Sequence, residues 1–289
     1  MSIKLLDSNL FYSPNCVLYP SFKKGLYMEE YFFEYMKRNN MSHDKSGKLY
    51  IPILWTNFQI EHWFDNHKSE MQDILNKYIE KNPCTYGYFT VVQYDDGPLL
   101  ELPKKTVVYG ACSGNIQLPL IYQDLDNKLE NIPKKSFKEK NVLCSFIGRD
   151  THNVRNKIIN YYKNNPNFCI INNSERGYVE NPEKEYTDLT IDSKFTLAPR
   201  GYGRSSFRFF EIFKLGSIPI YVWDDIEWLP YKEKIDYSKF CISIHIYNLD
   251  KLEDILLNIN EQKYNDMLDE FKKVKEVFEL EYMCEYIIS

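Results

Sequence analysis

Long apolar runs are absent from this 289-residue sequence. Nothing in it approaches the roughly 20 residues that a bilayer-crossing helix needs. The opening MSIKLLDSNLFYSPN has no charged-then-apolar leader pattern. The expectation is a cytoplasmic or otherwise soluble chain with no membrane span. A basic excess is missing too: 36 Lys and Arg stand against 41 Asp and Glu, a net charge of −5. That argues against a nucleic-acid binder and requires any anionic ligand to be met by locally placed cations. The seven cysteines, Cys16, Cys84, Cys112, Cys144, Cys169, Cys241 and Cys284, are scattered and odd in number. None forms a Cys-x-x-Cys, and no histidine stands at zinc-like spacing from them. The pattern suits a reducing compartment. Cys144, Cys169 and Cys241 lie in apolar runs and read as buried thiols.

Hydrophobic residues make up 44% of the chain and aromatic residues 16%, enough to build one large core or two smaller ones and to exclude a disordered polymer. The 24 Tyr and 18 Phe read mostly as core, although sugar-binding clefts also use aromatic faces. Residues 25–38 read as a helix, 49–54 as a strand, 61–81 as a helix, 88–96 as a strand ending in acids, and 105–112 as a strand. After the charged, proline-containing stretch 124–140, the alternation starts again: strand 141–148, a helix over about 151–164, then FCIIN, KFTLA, the helix SSFRFFEIFKL, SIPIYVW, and KFCISIHI. Two helices follow, at about 249–259 and 261–280. This alternation predicts an α/β architecture. The expected division is an N-terminal Rossmann-like domain over 1–135 and a C-terminal ligand-binding domain over 136–289, with a cleft between them and the last helices packing back toward the first.

The most informative segment runs from Lys194 to Asp225. Pro199 to Arg204 form a glycine-containing loop after a strand, with Arg200, Gly201, Gly203 and Arg204 in it. Ser205 or Ser206 caps the following helix, and Gly216 stands at its C′ position. A strand completes the βαβ unit. A glycine loop at a helix N-terminus offers free N–H groups and a positive dipole end, which suit a diphosphate. Against an otherwise apolar helix, Arg204, Arg208 and Glu211 stand four and then three residues apart on one face. Arginine can chelate phosphate oxygens, and Glu can accept from two ribose hydroxyls. The bland alternative is that Arg208 and Glu211 simply pair with each other. A second loop has the same logic: NVLCSFIG is a strand, Arg149 follows Gly148, and Thr151 can cap a helix carrying Arg155.

LAPRGYGRSSFRFFEIFKLGSIPIYVWDDIEWLP closely resembles the signature of the exostosin family, glycosyltransferase family 47. The match comprises a Pro-Arg-Gly loop, a Ser-phi-Arg-phi-x-Glu helix, a Gly-x-Ile-Pro strand, and an Asp followed by Leu-Pro. CSFIGRDTHNVR is similar to the family's Gly-Arg segment, and YIPILW and YFTVVQYDDG to its N-terminal strands, so the resemblance spans roughly residues 25–230. It implies a GT-B fold with two Rossmann-like domains facing each other across a cleft. It also implies an inverting hexosyl- or pentosyltransferase of glycan biosynthesis, with a UDP-sugar donor on the second domain and a glycan or glycoconjugate acceptor against the first. Arg149, Arg155, Arg200, Gly201, Gly203, Arg204, Ser205, Ser206, Arg208, Glu211 and Asp225 are the implied donor set. Tyr94 stands where relatives often have His, ahead of the Asp of a His-Asp-x-Gly stretch.

Inversion requires a base opposite the leaving group. Asp95 fits, directly after a strand and with Gly97 allowing a tight turn; Asp96 is its rival, and turn capping is the structural alternative for either. Asp124-Leu-Asp126 is a formal DxD, but it sits in the linker, so no metal or other cofactor is expected. Asp224 and Asp225 follow a strand directly and can touch the donor sugar or cap a turn. His43, His62, His67, His152 and His245 are isolated in sequence. A non-catalytic nucleotide- or glycan-binding module, as half of a heterodimer, is the alternative function. Sugar, acceptor and oligomeric state are not legible.

Overall fold

The computed structural model describes residues 3–12 and 25–289; Cys16, one of the seven cysteines, lies outside them. The chain forms two compact units: residues 1–123 with 277–289, and residues 124–276. The change of unit falls at Asp124, where the charged stretch begins, and no helix among the described residues is long and apolar enough to cross a membrane.

In the first unit the order is α1 (Met28–Arg38), β1 (Leu49–Tyr50), α2 (Trp55–Gln59), α3 (Phe64–Lys81), β2 (Tyr88–Val92), β3 (Thr106–Gly110) and β4 (Ile116–Gln117). The strands form a parallel sheet in the order β1-β2-β3-β4. β2 is buried at every position, as a strand covered on both faces must be. Its pairing ends at Val92, so residues 93–96, which alternation assigns to the strand, lead into and form a turn. Rings fill this core, as composition suggests: Phe32, Tyr50 and Phe89 pack edge-on or stacked within 6.1 Å, and Trp55 lies against Phe58.

A carboxyl group is buried in that core. Glu29, in the first turn of α1, is 2% exposed. Its carboxylate accepts from the Gln93 amide (2.5 Å), the Thr56 amide (2.9 Å) and the Thr56 hydroxyl (2.8 Å), tying α1, α2 and the end of β2 together. Burial pushes its pKa up to about 7 against these hydrogen bonds, with Glu30 adding repulsion. The folded chain therefore holds a proton over a range in which the unfolded chain, near 4.5, has lost it. Stability is full below pH 4.5 and falls as pH rises through 7, by about 3 kcal/mol from this group. The charged group that acts on it is Glu30 of the same helix, and the Glu29 charge in turn adds to burial in raising the Tyr50 hydroxyl on β1. Urea melts at pH 5 and pH 8 should show that loss, and Glu29→Gln should flatten the difference; an unchanged pH slope in Glu29→Gln would assign it to another group.

The second unit runs β5 (Val142–Gly148), α4 (Asn153–Tyr162), β6 (Phe168–Asn172), α5 (Pro182–Asp192), β7 (Ser193–Pro199), α6 (Phe207–Lys214), β8 (Ile218–Trp223), β9 (Ile242–His245), α7 (Leu252–Leu257) and α8 (Glu261–Val274). Its five strands are all parallel, in the order β6-β5-β7-β8-β9. The register sets Gly148 opposite Asn172, Pro199 opposite Val222, and Trp223 opposite His245, so the five carboxyl ends form one edge. The core between sheet and helices includes Phe146, Phe195, Leu197, Ile220, Ile158 and Tyr264. Cys144 and Cys241 are buried thiols, as expected, whereas Cys169 is only half-buried.

Two elements depart from the sequence reading. α5 lies where no helix was expected; Asn181 caps it, Pro182 opens it, and Glu183 and Glu185 sit in its first turn. α9 (Leu280–Ile288) starts where the last helix was expected to end, and it belongs to the first unit, where it packs on α1.

Candidate functional site

The carboxyl edge of the second sheet gathers most of the donor residues named from sequence. Ser206 is the N-cap of α6, its hydroxyl accepting from the Arg208 amide at 3.4 Å. Ser205, Ser206 and Gly203 are buried, which fixes the loop in front of that helix. Arg155 spans two loops from α4: Nε donates to the Arg200 carbonyl at 2.9 Å and an Nη to the Arg149 carbonyl at 3.3 Å. The strand ends of β5 and β7 are thus tied by one guanidinium. A Cβ on Gly201 would come within 3.2 Å of it.

Arg208 reaches across from α6 to donate to the Ile147 carbonyl at the end of β5. Its guanidinium stands 5.8 Å from the centre of the Phe146 ring and 5.0 Å from that of Tyr186 on α5. Gly148 makes this approach feasible, because a Cβ there would lie 3.0 Å from the Arg208 guanidinium and 2.9 Å from Phe146. Glu211, one turn further along, is 4% exposed and adjoins Tyr186. Burial first, then the Glu211 charge, pushes the Tyr186 hydroxyl well up, while Arg208 acts in the opposite direction. Arg208 and Glu211 therefore both meet a residue of α5 that sequence reading left unplaced.

The remaining charges are paired. Arg200, 12% exposed at its side chain, bonds Asp224 at 2.8 Å and Asp225 at 3.0 Å and donates to the Tyr202 carbonyl at 2.9 Å. Its Nε is buried without a partner. Arg204 bonds the other oxygen of Asp225 at 2.7 Å and lies over Trp228. Partial burial works to raise the Asp225 carboxyl, but the Arg204 hydrogen bond, the Ile226 amide and the nearby arginine charges outweigh it and hold it at about 2. At neutral pH, Asp225 is a fixed anion stitching two arginines. Arg149 differs: its side chain is exposed at the end of β5, and it enters no ion pair among the described residues.

Two histidines that look isolated in sequence belong to this edge. His152, rather than Thr151, caps α4 through its Nδ1 and the Val154 amide at 3.2 Å. Burial and then the Arg200 charge lower its pKa. His245 bonds the Asp224 carbonyl at 2.9 Å and stands edge-on to Trp223 at 4.6 Å. The pairing of β9 with β8 sets His245 opposite Trp223, a neighbourhood that no local spacing could have shown.

In the first unit, Asp95 is half-buried and Asp96 exposed in the turn after β2. The turn closes through the Gly97 amide and the Tyr94 carbonyl at 3.0 Å, with Gly97 at φ +80, a conformation that only glycine adopts freely. Burial, then the charges of Asp96 and Asp95, raise the Tyr94 hydroxyl. Of the DxD acids, Asp124 accepts from the Leu129 amide at 3.2 Å and faces Lys214 at 3.8 Å, and Asp126 sits at φ +63. Among the described residues, no group of three or more His, Cys, Asp or Glu is placed to hold a metal ion.

Comparison with known proteins bears on the same residues. A protein of Arabidopsis thaliana described as a probable glycosyltransferase is 21% identical over 288 residues, covering 87% of this chain and 59% of its own. The exostosin-1 homolog of Caenorhabditis elegans is 26% identical over 166 residues, or 53% of this chain and 43% of its own. A second Arabidopsis thaliana protein described as a probable glycosyltransferase is 24% identical over 140 residues, covering 48% and 26%. The chain thus spans at most 59% of the length of these relatives. The Exostosin GT47 domain model matches residues 104–259, which include every strand of the second unit and the whole arginine-rich edge. Because that match takes in more than half of the 289 residues, the chain belongs to the exostosin GT47 family.

Proposed function

We propose that this chain is an inverting glycosyltransferase of the GT-B type that moves a sugar from a UDP-sugar to a hydroxyl of a glycan or glycoconjugate. The observation that carries the reading is the carboxyl edge of β5 and β7. There Arg149, Arg200 and Arg204 lie in the loops that follow the two strands, Arg155 and Arg208 bond backbone carbonyls at those strand ends, and the glycine loop leads into the N-terminus of α6. The positive end of α6 and the guanidinium groups stabilise the departing diphosphate without a proton transfer. Arg149 is the most accessible of the cations, and Arg208 the one bonded to the Ile147 carbonyl of β5. Glu211 is assigned the ribose hydroxyls, and Asp95 takes the proton of the attacking hydroxyl.

Binding and chemistry are tested apart. UDP should raise the melting temperature and bind in calorimetry more tightly than GDP, since anything that binds only the folded state stabilises it. UDP release should be measured from UDP-glucose, UDP-galactose, UDP-glucuronate and UDP-N-acetylglucosamine with water as acceptor. It should proceed in excess EDTA within about twofold of its rate in magnesium or manganese, because cations of the chain itself neutralise the leaving group. A collapse to background in EDTA would restore a metal to the mechanism. UDP binding with no release from any of the four donors would favour the non-catalytic module.

A further inference from the structure

The turn that carries Asp95 is held from beneath by two side chains on other elements of the first unit. Gln59, the last residue of α2, is 5% exposed. Its Nε2 donates to the Gly97 carbonyl at 3.0 Å, and its Oε1 accepts from the Leu99 amide at 2.7 Å. Glu29 takes the amide at the other end, that of Gln93, at 2.5 Å. A Cβ at Gly97 would come within 3.2 Å of the Ser113 hydroxyl, so the floor of the turn is filled as well. Both ends of the seven-residue stretch from Gln93 to Leu99 are thus pinned by buried polar groups, while Asp95 and Asp96 lie between them.

Ordinary surface turns satisfy their backbone with water and need no such anchoring. Buried hydrogen bonds from Gln59 and Glu29 remove the conformational freedom of the turn before any substrate arrives. That is what a base held at a fixed attack distance requires. We infer that Gln59 and Glu29 are positioning residues, which hold the Gln93–Leu99 turn so that Asp95 is presented in one geometry. The inference rests on Asp95 as the base.

Gln59→Met keeps the shape of the side chain and removes both bonds to the turn. The Leu99 amide should then exchange with solvent at least about tenfold faster, because an anchored amide exchanges only when its bond opens. UDP release from whichever of the four donors the wild type hydrolyses should fall about tenfold, with UDP affinity by calorimetry unchanged. In an Asp95→Asn background the same change should cost nothing further, since there is no base left to misplace. Gln59→Asn keeps both polar groups on a shorter side chain that cannot reach both partners, so it should fall between wild type and Gln59→Met; it also serves if the latter does not fold. Unchanged Leu99 exchange overturns the clamp. An equal loss in both backgrounds, or a parallel loss of UDP affinity, makes Gln59 merely structural and leaves Asp95 as the base. Full activity in Asp95→Asn removes the base and this role together.

Discussion

Asp95→Asn should lower turnover at least ~100-fold, within the range for loss of a general base, and leave UDP affinity intact. The replacement is nearly isosteric, and other residues close and anchor the turn. Its closure runs from the Gly97 amide to the Tyr94 carbonyl, and its ends are held by Gln59 and Glu29. A folded, UDP-binding protein that has lost its chemistry is therefore the expected outcome. UDP affinity is the discriminating measurement, since every residue assigned to the nucleotide lies in the second unit and Asp95 in the first. Asp96 is the exposed neighbour. Full activity in Asp95→Asn together with an inactive Asp96→Asn would move the role one residue along, and full activity in both would end it.

What the sequence reveals here follows how local each signal is. The α6 segment is legible because its parts are adjacent in the chain: a glycine loop, a serine cap, an apolar helix, and Gly216 after its end. In the structure Ser206 is the cap and Gly216 stands at φ +73. α5 is harder to read. Its Asn181 cap, Pro182 and acidic first turn were available, but Thr187, Thr190 and Ile191 weaken helix propensity, and there is no wide apolar stripe to announce it. Missing α5 meant missing Tyr186, and with it the partner that both Arg208 and Glu211 share. The pairing of Asp225 with Arg200 and Arg204 depends on the register of β7 against β8, which no spacing within one segment encodes. Glu29 is subtler still. It reads as an ordinary acid in the first turn of a helix, and becomes a buried carboxyl group only where that turn meets α2 and the end of β2.

Arg208→Ala should weaken UDP binding about 30- to 150-fold, which is the 2–3 kcal/mol of a lost charge-assisted contact to phosphate. The site argues that this arginine is placed and not merely present. It reaches the end of β5 through its bond to the Ile147 carbonyl, it is steadied between Phe146 and Tyr186, and Gly148 leaves the space it occupies. The same contacts give it a structural part. Its removal strips the Ile147 carbonyl of a donor and two buried rings of a cation, a contact worth about 0.5–1 kcal/mol at an exposed site and about 2 when desolvated. Stability and affinity must therefore be read side by side. Arg208→Lys resolves them, because it retains the charge but not the planar fork that grips a diphosphate and a carbonyl together. It should recover part of the affinity lost in Arg208→Ala. If Arg208→Ala folds and binds UDP as tightly as the wild type in calorimetry, the guanidinium belongs to the fold alone, and the diphosphate must be sought against Arg149 and the α6 N-terminus.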